Sequence, residues 1–252
     1  MTKEAIQYLM EQGITPMDRL INFDDDRWLF VNNDGEAREI TPRAFVARNA
    51  IRLNTLTGLV NYVKSNLERV DSQLYLHVVN ESNVRLMGTL ECDGEREVLA
   101  TADAIVPEFE FGWFHDMEKF NIALQSKFVD LRVDQENEDD RAILLKVVGN
   151  VQEENVKNTG DNGYSQAVTI KQGVHSADVL VPNPVLLAPY RTFLEVEQPA
   201  SQFIFRMKDG PKAAIFEADG GAWRNKAIEN IRMYLAEQLK VEVDNKKITI
   251  LA

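Results

Sequence analysis

The chain has 252 residues, is 44% apolar and carries a net charge of −12, so it can bury a full core and is not a disordered chain. So acidic a protein repels phosphate backbones, which argues against nucleic acid held on a broad basic face, a local basic groove excepted. The lone cysteine, Cys92, excludes an internal disulfide and a cysteine-based zinc site and fits a reducing cytosol.

Residues 1–13 lack the basic and apolar regions of a secretion signal, and no 18-residue apolar run occurs anywhere. The expected location is the cytoplasm, with no membrane partner. Thr2 is placed to cap a first helix that stops at Gly13. Leu20–Phe23 and Trp28–Val31 read as strands around the turn Asp24-Asp25-Asp26. That acidic triplet fits a solvated hairpin tip better than a metal loop. Ala50–Leu53 reads as a strand, and Asn54 or Thr55 caps a helix with Leu56, Leu59, Val60, Val63 and Leu67 on one stripe.

After Asp71 the apolar period falls from 3.6 to 2. Leu74, Leu76 and Val78 face one way and Tyr75 and His77 the other. Val84, Leu86 and Leu90 continue the apolar face, and Val98–Val106 follows. The intervening turns are short, which makes this an antiparallel meander. Phe109, Phe111, Trp113 and Phe114 form an aromatic cluster. Its neighbours Glu108, Glu110, Asp116 and Glu118 have the wrong sign for stacking nucleic-acid bases, so core packing is expected. A helix over 116–129 follows, with Met117, Phe120, Leu124 and Phe128 on one face.

Residues 130–140 hold six acids against one arginine, the best internal boundary if the chain has two lobes. The expected organisation is one compact α+β domain over 1–252, the alternative being lobes 1–130 and 141–252 joined by that segment. Ala142–Val151 reads as a helix, Thr159–Gly163 as a turn and Ala167–Lys171 as a strand. Three prolines between Pro182 and Pro189 forbid helix and impose an extended, apolar strap. The strap packs under the final sheet or docks on another subunit. Its Val181, Pro182, Pro184, Val185, Leu186, Leu187 and Pro189 are the candidate interface.

Tyr190–Leu239 carries the clearest pattern: strand Tyr190–Glu197, strand Gln202–Met207, strand Ala213–Glu217, and a helix opened by Gly220-Gly221. Leu194, Val196, Phe203, Phe205 and Met207 are expected in the core. Arg191, Glu195, Glu197, Arg206 and Lys208 are expected on a wetted face, with Glu195 near Arg206. Trp223, Ala227, Ile228, Ile231, Leu235 and Leu239 give the closing helix a broad apolar face, expected to roof that antiparallel sheet. Lys246–Leu251 closes an edge.

The chain lacks a G-x-G-x-x-G run, a P-loop and an H-E-x-x-H helix. Gly220-Gly221 reads as a tight turn, since Glu217 and Asp219 beside it repel an anion. His77, His115 and His175 are too far apart for a local ligand pair. Glu195 and Glu197 could form a glycosidase-like acid pair only if burial raised one pKa, and they read as solvated. Cys92 lies among Glu91, Asp93 and Glu95, which disfavour a reactive thiolate. No catalytic residue, metal or cofactor is expected.

The runs Leu53–Leu59, Val181–Pro184, Pro189–Phe193, Glu195–Pro199 and Phe216–Trp223 resemble an uncharacterised family of prophage proteins of gut Gram-positive bacteria. More distantly the layout is similar to the YfdQ-like prophage proteins. The resemblance spans nearly the whole chain from Thr2 and brings no catalytic residues with it. It implies a phage or prophage protein in the cytoplasm of a bacterial host. The expected function is therefore that of a non-enzymatic accessory protein acting by binding, as a homo-oligomer or in anti-defence against a host enzyme or signalling molecule. The partner is then another copy or a host protein. The alternatives are a self-assembling structural protein (a ring, shell or virion part) and an enzyme whose site is assembled from distant residues.

Overall fold

Two sheets carry the two hydrophobic clusters of the protein, and helices reach each of them from other parts of the chain. The computed structural model describes residues 20–24, 27–31, 37–40, 47, 49–65, 73–90, 95–132, 138–150, 159–161, 166–172, 175–208 and 212–252. The expected helix at 2–13, Asp25 and Asp26, Leu67, Cys92 and Gly163 lie outside them.

In chain order, β1 (Leu20–Asp24), β2 (Arg27–Val31) and β3 (Ala37–Ile40) form an antiparallel meander. β4 (Ile51–Leu53) and α1 (Leu56–Ser65) follow, then β5 (Leu74–Asn80), β6 (Asn83–Met87) and β7 (Val98–Asp103). The short β8 (His115–Asp116) leads into α2 (Met117–Ser126) and α3 (Asp140–Asn150). β9 (Thr159–Asp161), β10 (Gln166–Gln172) and β11 (His175–Val181) make a separate antiparallel sheet. β12 (Val185–Leu187), β13 (Ser201–Lys208), β14 (Lys212–Glu217), α4 (Trp223–Gln238), α5 (Lys240–Asp244) and β15 (Ile248–Leu251) complete the α+β fold.

The first cluster lies under a five-stranded sheet of order β15-β5-β6-β7-β4. The period-2 reading holds in its centre: Leu76, Val78, Val84 and Leu86 point inward, and β5, β6 and β7 are antiparallel. Both edge strands, β15 and β4, join in parallel. Thr55 starts α1, its Oγ1 accepting from the Gly58 amide at 3.1 Å. Leu56, Leu59 and Val60 of α1 then meet Ile231 and Leu235 of α4 over this sheet. Each fully buried leucine contributes about 1.5–3 kcal/mol.

The second cluster lies under the sheet β12-β13-β14-β8. Phe203, Phe205 and Met207 face inward, as their alternation requires. They meet Phe120 and Leu124 of α2 and Leu144, Val147 and Val148 of α3. Asp116 caps α2, accepting from the Lys119 amide at 2.9 Å, and Asp139 accepts from Ala142 at 2.8 Å at the start of α3. Phe120 and Leu144 lie on opposite sides of the acidic segment 130–140 yet share this cluster, so a division there would cut through one core.

Several expectations change. The closing helix α4 covers the five-stranded sheet and not the sheet that precedes it; α2 and α3 cover that one. Its apolar face is the expected one, with Ala227, Ile231, Leu235 and Leu239 buried, but the partner surface lies in the other half of the chain. Residues 190–197 form a looped segment and not a strand. Leu194 is 68% exposed, whereas Phe193 and Arg191 are buried. The cause is Gln198. Its Oε1 accepts from the amides of Arg191 (3.0 Å) and Thr192 (3.3 Å), and its Nε2 donates to the carbonyls of Phe193 (2.9 Å) and Val196 (3.1 Å). One buried side-chain amide thus takes the part of a neighbouring strand. Leu90 is also exposed, Trp113 is 69% exposed outside the aromatic cluster, and residues 159–161 of the expected turn are strand.

Candidate functional site

With the inner face of the five-stranded sheet committed to α1 and α4, its outer face is set by the residues between. Residues in register on neighbouring strands share a face. Leu251 pairs with His77, His77 with Arg85, Arg85 with Thr101, and Thr101 with Arg52. These residues form one row across all five strands, and His77, Arg85 and Arg52 are exposed in it. In the adjacent row Thr249 pairs with Tyr75 and Tyr75 with Met87. The guanidinium of Arg96 lies over the Tyr75 ring, 5.6 Å from its centroid. Tyr75, His77, Met87, Arg96 and Leu251 line a concavity of about 300 Å³ there.

The charge on this face is opposite to that of the chain as a whole. Among the described residues neither Arg52 nor Arg85 forms a salt bridge. Asp103 stands on the same face, and its Oδ1 accepts from Asn83 Nδ2 at 2.6 Å in the next row. Two cations beside an apolar hollow can attract an anion and seat a flat apolar group next to it.

A second focus joins the two clusters. Arg191 is 8% exposed and stacks on Trp223, 3.9 Å from its ring centroid. Its Nη1 donates to Glu217 at 2.9 Å and its Nη2 to Ser201 Oγ at 2.6 Å. Burial pulls its pKa down to about 10, against the opposing pull of Glu217. Next to it, Thr192 Oγ1 donates to the Glu81 carbonyl, and Arg224 pairs with the Glu81 carboxylate at 3.3 Å. The arrangement ties the 190–201 loop to both sheets.

The other sequence candidates are dispersed. In the strap, Val181, Val185, Leu187 and Pro189 are buried in the chain's own core, Pro182 is half-buried, and Pro184 and Leu186 reach the surface. Val185–Leu187 pairs with β13 as an edge strand. The outer side of that edge is already occupied: the Leu186 amide donates to Asp140 at 2.7 Å, and Val129 and Tyr190 exchange backbone bonds with Ala188 and Lys127. Glu195 lies at the start of α1, accepting from the Thr57 amide at 3.2 Å, and Arg206 turns to the Phe205 carbonyl. Glu197 is exposed, and its carbonyl accepts from Asn230. The two acids therefore do not form a pair.

His115 contacts the Glu110 carbonyl at 3.0 Å and packs on Phe109; His77 is on the other sheet; the side chain of His175 lies outside the described residues. Gly220 and Gly221 adopt positive φ of 62° and 83°, the tight turn expected. The helix start beyond them is filled by Asp219, which accepts from Gly221 and Trp223. Phe109 and Phe111 pack in the core, Phe111 stacking on Phe203 at 5.3 Å. Among the described residues no cluster of three His, Cys, Asp or Glu could hold a metal ion, and no helix is long and apolar enough to cross a membrane.

The fold and this face together define an α+β protein with one sheet covered by helices on its inner side and carrying arginines on its outer side. No family model, curated protein or solved structure matches the chain.

Proposed function

We propose that this is a non-enzymatic binding protein, in the prophage setting its sequence resemblance implies, and that its partner is an anion held on the outer face of the five-stranded sheet. The row His77–Arg85–Thr101–Arg52 carries this reading. Two exposed arginines on one rigid face, without a salt bridge among the described residues, keep their charge available to a ligand. The net charge of −12 sets the far field, but contact is decided within a screening length of about 8–10 Å. The acids Glu195 and Glu197, the nearest approach to a catalytic pair in the sequence, are spent on a helix start and on solvent.

The test uses inorganic polyphosphate as a probe, titrated calorimetrically at about 50 mM and about 500 mM salt. Binding at low salt that weakens at high salt, and that the double substitution Arg52→Glu with Arg85→Glu removes, supports the reading. No binding at low salt, or a double variant that binds like the parent, refutes it.

A further inference from the structure

We infer that the anion is the backbone of a single-stranded nucleic acid, one of whose bases sits in the hollow beside Tyr75. This rests on the reading of the outer face as anion-binding and adds the ligand's identity.

Three features of the face point to it. First, the cations are not gathered at one point. Arg85 and Arg52 are separated by two strand spacings, about 10 Å. A compact anion engages one end of that row, whereas an extended phosphodiester chain follows it. Second, the hollow at the other end of the face has the chemistry of a base site. Tyr75 offers an aromatic ring beneath the Arg96 guanidinium, Met87 and Leu251 offer apolar walls, and His77 puts a polar group at the margin. Its volume of about 300 Å³ is at the lower end of small-ligand pockets and suits one planar ring system. Third, this is an open sheet with an aromatic residue one row away from exposed arginines. That geometry lets bases stack while phosphates meet cations, and it works without sequence preference.

The larger concavity, between Glu108, Glu110, His115, Lys119, Ile122 and Lys127, does not have these features. Its Lys127 donates to the Glu108 carbonyl, its Lys119 pairs with Asp116, and its two glutamates oppose a phosphate. Its lysines are thus committed within the protein, whereas Arg52 and Arg85 form no salt bridge among the described residues.

The experiment is fluorescence anisotropy with two labelled 15-nucleotide probes, oligothymidylate and an abasic strand of the same length, with unlabelled thymidine monophosphate as competitor. The proposal expects oligothymidylate to bind more tightly than the abasic strand, and thymidine monophosphate to compete weakly. It expects log K to fall with log salt at a slope near −1.4, from about −0.7 for each of the two arginine–phosphate contacts of Arg52 and Arg85. Tyr75→Leu should lower oligothymidylate affinity by roughly five- to 100-fold and shrink its advantage over the abasic strand. Circular dichroism melting of that variant checks that it is folded, and Met87→Glu gives a second blockage of the same hollow. Equal affinity for the two strands, an unchanged advantage in both variants, or thymidine monophosphate competing as well as the strand overturns the base site while leaving polyphosphate binding intact. Loss of all binding at low salt, polyphosphate included, overturns the anion-binding reading itself.

Discussion

Replacing Arg191 by methionine and by alanine separates two accounts of the junction between the clusters. In one, the Arg191–Glu217 ion pair holds it, and breaking a buried pair costs about 3–5 kcal/mol whichever residue replaces the arginine. The structure favours the other. Burial brings the Arg191 pKa down from its ordinary value to about 10, which amounts to roughly 3 kcal/mol against the charged form even with Glu217 beside it. Arg191 Nε is buried without a hydrogen-bond partner, so part of the desolvation is not repaid. Glu217 itself is one-third exposed and can return to water. Methionine keeps the stem between the Trp223 and Phe203 rings and removes the charge. It sacrifices the bond to Ser201 Oγ, worth about 1–3 kcal/mol. These effects nearly cancel, so Arg191→Met should change stability by less than about 1 kcal/mol. Arg191→Ala empties the space between the rings and should cost about 3 kcal/mol. The pH dependence has a definite sign. At neutral pH the arginine is charged in both states and its penalty is complete, and relief comes only as pH rises past about 10, where the native state releases its proton before the unfolded chain does. Urea melts of the three proteins at pH 7 decide the matter. Equal losses for the methionine and alanine variants would refute the packing account.

Two further substitutions probe the looped segment. Phe193→Ala should cost about 3–5 kcal/mol and Leu194→Ala less than about 0.5 kcal/mol, because Phe193 is buried and Leu194 exposed; a strand with Leu194 inward demands the reverse order in a denaturant melt. Glu195→Gln should cost about 0.3–1 kcal/mol and lose its effect in high salt, since the carboxylate sits at the positive end of α1; a salt-independent cost would mean that the hydrogen bond to Thr57 alone is responsible.

What the sequence revealed and what it hid follow from the range of each interaction. Alternation in Leu74–Val78 and Phe203–Met207, and side-chain caps such as Thr55, are local, and all of them appear where the pattern puts them. An apolar stripe says that a helix is covered, but not by what. The stripe on α4 fits either sheet equally well in hydrophobicity, and only the fold selects the five-stranded one. Tyr190–Glu197 alternates like a strand, and the residue that overrides the alternation, Gln198, acts through four hydrogen bonds that composition does not announce. The outer face is the extreme case. Arg52, His77 and Arg85 belong to three strands, and Arg52 enters the row only because β4 joins β7 in parallel. A chain that is acidic in sum and basic on one face must keep its cations apart in sequence, where each is surrounded by the average composition. Only pairing of the strands concentrates them, and the same pairing removes the flexibility that would otherwise oppose binding. The sign of the face is thus a property of the register: slipping β6 by one residue relative to β5 would turn Arg85 into the core and abolish the site and the cluster together.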